Sequence, residues 1–137
     1  MTLKLSPLDQ VHRELGASFT DFAGWDMPVR YTSDLAEHHA VRNGAGIFDL
    51  SHMAEINLKG PEAGAALDYA LSGTLSTIPV GRAKYSLLLN TAGGILDDLV
   101  VYRIGEDEFM VVANAGNREV AASEILKRAA NFDCLVR

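Results

Sequence analysis

The stretch Gly93 to Arg103, GGILDDLVVYR, decides how this chain is read, because it sets two acids side by side within an otherwise apolar run. Leu99, Val100, Val101 and Tyr102 are residues that suit a half-covered pleated surface, so the run reads as a strand. Side chains alternate along a strand, which sends Leu96, Asp98, Val100 and Tyr102 to one side and Ile95, Asp97, Leu99 and Val101 to the other. Each face of the sheet therefore receives one aspartate. A carboxylate in apolar surroundings is costly unless it finds donors, takes up a proton or lies where water or a ligand reaches it. Two readings stay open here. In one, an aspartate is solvated or bonds a backbone amide while the other answers a base such as Arg82 or Arg103. In the other, one aspartate belongs to a site.

Working outward, KYSLLLN precedes the stretch and TAGG separates the two runs, which is the pattern of a hairpin with a four-residue connection. EFMVVAN follows the turn-like GED and supplies another strand. Upstream, AEINL alternates Ala54, Ile56 and Leu58 with Glu55 and Asn57, the period of a strand with one covered face. Gly60 and Pro61 then open a helix, with Pro61 at its first position, and Ala63, Ala66, Leu67 and Ala70 form its apolar stripe. Asn114 to Asn117 are caps for a second helix whose stripe is Ala122, Ile125, Leu126 and Ala129. FDCLV reads as a last short strand.

In order, residues 53 to 136 run β, α, β, β, β, α, β, which predicts an α+β fold: a ferredoxin-like antiparallel sheet with two helices on one face. The chain divides into an N-terminal segment, residues 1–50, and this α+β domain, residues 51–137. Residues 1 to 31, around FAGWDMP, read as loops and short extended pieces punctuated by Gly24 and Pro28. Ser33 caps a helix with Asp34 and Glu37 in its first turn, ending at Gly44 to Gly46.

Composition narrows the function. The 137 residues are 48% hydrophobic and 22% charged with a net charge of -6, which argues against nucleic acid or an anionic membrane surface as partner. One cysteine, Cys134, can form no internal disulfide and suits a reducing compartment, so a cytoplasmic protein is expected. No apolar run approaches the roughly 18 residues of a membrane span. His38 and His39 are adjacent and point about 100 degrees apart on a helix, and with His12 and His52 distant in sequence no metal is expected. Ser51 beside His52 lacks a GxSxG frame, and NGAG at 43–46 fits no phosphate-binding loop. Trp25, Met53, Tyr85, Tyr102 and Asn114 are instead the apolar and polar mixture suited to a flat heteroaromatic ligand.

Four segments, DFAGWDMPVRY, AVRNGAGIFDLSHM, GRAKYSLLLNTAGGILDDLVVYR and MVVANAGN, in this order and spacing, resemble the N-terminal part of the glycine cleavage system T-protein family, the tetrahydrofolate-dependent aminomethyltransferases. The resemblance covers essentially the whole chain. It implies transfer of a methylene group from an aminomethyl-lipoyl H-protein to tetrahydrofolate, with release of ammonia. It also implies that Asp98, second of the DD pair, is the catalytic carboxylate, and that Met53, Tyr85, Val100 and Asn114 line the folate site. Family members form a three-domain cloverleaf and are more than twice as long. The resemblance thus implies an N-terminal portion with little activity alone, whose first fifty residues belong to an incomplete first folate-binding domain. A dimethylsulfoniopropionate demethylase-like relative and a non-catalytic binding or assembly module are the alternative readings.

Overall fold

From Ile95 onward the stretch lies in the longest strand of a five-stranded antiparallel sheet, with Gly93 and Gly94 in the turn before it. The computed structural model describes residues 2–137, and the chain divides into two compact units, Met1–His52 and Met53–Arg137.

The second unit follows the expected order. It comprises β4 (Ala54–Lys59), α3 (Ala63–Ala70), β5 (Ala83–Leu89), β6 (Ile95–Gly105), β7 (Glu108–Ala113), α4 (Arg118–Ala129) and β8 (Leu135–Val136); the numbering leaves β1–β3 and α1–α2 to the first unit. The strands lie side by side as β5-β6-β7-β4-β8, every neighbouring pair antiparallel. Leu58 of β4, Leu99 and Val101 of β6, and Phe109 and Val111 of β7 pack with Ala63, Ala66 and Leu67 of α3 and Ala121 and Ile125 of α4 in one core. Burying these side chains is what holds the helices on the sheet, each large one contributing about 1.5–3 kcal/mol. The opposite face carries Tyr85, Asp98 and Tyr102, all exposed.

Four details depart from the sequence expectations. Pro61 precedes α3 by two residues, because Gly60 must first turn at φ +148, where a Cβ would stand 2.5 Å from the Asp133 carbonyl oxygen. The apolar stripe of α4 keeps the expected Ile125 and Ala129, with Ala122 packed partly against the core, but Ala121 is also buried and Leu126 is exposed; a turn of 3₁₀ helix, Ala115–Asn117, leads into the helix. Neither Asn114 nor Asn117 caps with its side chain. Finally, the alternation along β6 breaks at its start. Leu88 pairs with Asp97 and Leu89 with Ile95, so Leu96 is bulged out of register and packs partly on the core while Ile95 is exposed.

In the first unit, the short extended pieces expected among the loops pair into a sheet. It consists of β1 (Lys4–Leu5), β2 (Ser18–Phe22) and β3 (Trp25–Arg30), in the order β1-β3-β2, with α1 (Asp9–Glu14) between β1 and β2. Ala23 at φ +52 and Gly24 at φ +81 make the two-residue hairpin turn between the paired Phe22 and Trp25. The helix expected after Ser33 is α2 (Asp34–Asn43): the Ser33 hydroxyl accepts from the Ala36 amide, and the Glu37 carboxylate accepts from the amides of Tyr31 and Thr32 at 2.7 and 2.9 Å. Those two backbone amides hold the Glu37 carboxyl below its ordinary range.

Candidate functional site

The aspartate pair lies near the start of β6, an inner strand flanked by β5 and β7. Asp97 points to the helix-covered side and is 3% exposed, whereas Asp98 stands on the open face. Their hydrogen-bond partners are amides and a phenol, not Arg82 or Arg103. The Arg103 guanidinium is engaged instead with the carbonyls of Ser76, Ile78, Gly105 and Glu106.

Both acids are met by amides and a phenol. The Tyr85 hydroxyl donates to Asp98 Oδ2 at 3.0 Å, and Asn114 Nδ2 donates to Asp98 Oδ1 at 3.1 Å. Each oxygen of Asp98 thus has one donor, which fixes the plane of the carboxylate on an exposed surface. The register explains how the donors arrive. Tyr85 pairs with Val100 across β5 and β6, which places its side chain on the Asp98 face one diagonal step away. Asn114 follows Ala113, the partner of Leu99, and so reaches the sheet end level with Asp98. The hydrogen bond to Asp98, aided by partial desolvation, pushes the Tyr85 phenol above its ordinary range.

Val100 pairs with Tyr85 on one side and Val112 on the other, half-buried in the middle of the open face. Met53 immediately precedes Ala54, whose partner is Ala113, so it stands at the same sheet end as Asn114 and is also half-buried. Asp98, Tyr85, Val100, Asn114 and Met53 are therefore gathered along one face and end of one sheet, with Tyr102 further along β6. A fixed acceptor carboxylate beside aromatic and aliphatic surface can orient a flat, N–H-bearing heterocycle. Trp25 lies in the first unit, buried in β3.

The other sequence candidates take separate paths. The Ser51 hydroxyl donates to Asp49 at 2.6 Å, and His52 packs edge-on against Phe22. Among the described residues no group of His, Cys, Asp or Glu could hold a metal ion. Sequence reasoning missed one polar network. His12 is buried with Nε2 at 2.8 Å from Asp49 Oδ2 and Nδ1 at 2.7 Å from the Tyr31 hydroxyl, and the Ser6 hydroxyl also donates to Asp49. Burial works against the Asp49 anion, but the hydrogen bonds from Ser51, Ser6 and His12 outweigh it and hold the carboxyl well below its usual range. Its bonds from His12 to Tyr31 and from Ser6 and His12 to Asp49 span 19 to 43 residues, and no local motif announces them.

Comparison with known proteins adds a family to this geometry. The family described as GCVT N-terminal domain matches residues 8–137. The aminomethyltransferase of Cutibacterium acnes is 64% identical over 135 residues, covering 98% of this chain and 36% of that protein. The aminomethyltransferase of Saccharopolyspora erythraea is 57% identical over 128 residues, covering 93% of this chain and 35% of the relative. The crystal structure of glycine cleavage system aminomethyltransferase T from Bartonella henselae superposes with a TM-score of 0.92 at 47% identity, over 98% of this chain and 37% of that one. The chain thus spans little more than a third of the length of the relatives it matches.

Proposed function

The chain belongs to the GCVT N-terminal domain family, and from that premise we propose that it is the N-terminal portion of an aminomethyltransferase of the glycine cleavage system. The reaction moves the methylene group of an aminomethyl-lipoyl H-protein to tetrahydrofolate and releases ammonia. The observation that carries this reading is the Asp98 carboxylate, held on an open face by Tyr85 and Asn114, one donor to each oxygen.

Tetrahydrofolate is a flat, N–H-rich co-substrate, and the residues present fit it. Asp98 accepts a hydrogen bond from the folate near its reactive nitrogens and orients them toward the incoming carbon. Both of its protein donors are neutral groups, so the carboxylate's charge is left for the ligand. Held in one plane, the acceptor does not have to be ordered during the reaction, which is the advantage of a preorganised group. Val100, Met53 and the Tyr85 ring offer apolar surface to the heterocycle, and Asn114 keeps Asp98 in place. In the same reading the first unit is part of the first folate-binding domain, the lipoylated H-protein is the partner, and the site of action is the cytoplasm. No helix among the described residues is long and apolar enough to cross a membrane.

The test uses a chimera in which this chain replaces the matching third of the Cutibacterium acnes aminomethyltransferase. With loaded H-protein and tetrahydrofolate the chimera is expected to form methylenetetrahydrofolate, and the 137-residue chain alone to form little. Asp98→Asn in the chimera should lower kcat about 100-fold or more with the circular dichroism spectrum retained. Unchanged kcat would remove Asp98 from catalysis. Turnover of dimethylsulfoniopropionate in place of the H-protein would reassign the donor, and turnover of neither would leave the face a binding module.

A further inference from the structure

Asp97 is buried, and the amides it binds lead directly to Asp98. We propose that Asp97 is a positioning residue that sets the Asp98 carboxylate through the side-chain amide of Asn114; this rests on the reading of Asp98 as the folate-orienting group.

Asp97 Oδ2 accepts from the Asn114 backbone amide at 3.1 Å, and Oδ1 accepts from Asn114 Nδ2 at 3.0 Å and from Asn117 Nδ2 at 2.9 Å. An ionised carboxylate only accepts, so it selects which end of a neighbouring carboxamide faces it. Asn114 Nδ2 lies within hydrogen-bond distance of three acceptors: Asp97 Oδ1, the Asp98 carbonyl oxygen at 2.8 Å and Asp98 Oδ1. With no donor in that set, only the nitrogen end of the amide fits there. The orientation that satisfies Asp97 is therefore the one that gives Asp98 Oδ1 its donor.

The geometry also explains why a carboxylate stands at position 97. An asparagine there would set its NH₂ either against the Asn114 backbone amide, in the place of Oδ2, or against Asn114 Nδ2 and Asn117 Nδ2, in the place of Oδ1. In either pose a donor faces a donor, and one of the two hydrogen bonds by which position 97 holds Asn114 is lost. Asp97 is the last β6 residue in the unbroken register with β5, opposite Leu88, and the β-bulge at Leu96 follows directly before Leu89 pairs with Ile95. Asn117 ties the far end of the turn that begins at Asn114 to the same carboxylate, so both ends of the connection into α4 are fixed by Asp97.

A double-mutant cycle with Asp97→Asn and Asn114→Ala separates this role from a merely structural one. In the 137-residue chain the readout is the ¹³C carboxyl resonance of Asp98, and in the chimera it is kcat against KM. Asp97→Asn should shift the Asp98 resonance and lower kcat about 10- to 100-fold, the size of effect a small misplacement of a reacting group produces. In the Asn114→Ala background the same substitution should shift and lower nothing further. Equal effects in both backgrounds, or an unmoved Asp98 resonance, would overturn the proposal. If Asp97→Asn does not fold, Asn117→Ala takes its place in the cycle. A shift present with Asn114 and absent without it supports the proposal, and an equal shift in both, or none, refutes it. Failure of the wild-type chimera to use tetrahydrofolate would refute the functional reading alone, since the resonance cycle is read in its absence.

Discussion

Side by side in sequence, Asp97 and Asp98 occupy different chemical worlds, one buried among three amide donors and one exposed beneath a phenol. A third acid, Asp49, makes a prediction about pH. Its carboxyl is held below the usual range in the folded state, so its contribution is present above the unfolded value of about 4 and is lost as pH falls through and below it. Asp49→Asn should destabilise the first unit by about 1–3 kcal/mol at neutral pH, the cost of a broken buried network. The gap between variant and wild type should narrow on acidification from pH 6 to 3. Trp25, the chain's only tryptophan and a buried residue of that unit, reports the unfolding by its fluorescence. A gap independent of pH would remove Asp49 from the acid response. At this scale the sequence shows which faces the paired aspartates take, because alternation is a local rule. It does not show what meets them: Asn114 and Asn117 arrive from 16 to 20 residues away, through strand register that no single segment encodes.

Among the elements, the strands and helices of the second unit are legible because each carries a clear period, and the misses are matters of phase. The stripe Ala63, Ala66, Leu67 and Ala70 is buried as expected, since nothing interrupts α3. In α4 the expected Ile125 and Ala129 are buried and Ala122 packs partly on the core, but Ala121 is covered and Leu126 is exposed, so the covered face is centred one residue earlier than expected. The difference is measurable. Ile125 is 0% exposed and Leu126 is 57% exposed, so Ile125→Ala should cost about 2–5 kcal/mol and Leu126→Ala no more than about 0.5 kcal/mol. Urea unfolding of the two variants, followed by circular dichroism, reads both values. Comparable losses would restore the simpler stripe. The bulge at Leu96 is a second phase change, invisible in sequence because GGILDD alternates no worse than an unbroken strand would.

Across the whole chain, apolar burial is distributed unevenly between the two units. In the second, one cluster runs from Ala54 of β4 through Leu67, Val101 and Phe109 to Ala129 of α4. In the first, Trp25 and Met27 are the buried apolar side chains among the described residues, α2 has no buried residue, and Ile47, Phe48 and Leu50 are 100%, 69% and 62% exposed. Local opening free energy follows the apolar surface an element keeps from water, so the two units should differ in their amide exchange. Peptides from β4, β6 and β7 should be the slowest to take up deuterium, exchanging only through the global unfolding of their unit. Peptides covering α2 and residues 44–50 should exchange orders of magnitude faster, because opening them exposes little that is not exposed already. Those covering β2 and β3 should fall between, slowed where Trp25 and Met27 are buried. Mass spectrometry on the 137-residue chain at neutral pH gives the comparison directly, and protection of α2 equal to that of β6 would mean that its apolar side chains are covered in solution.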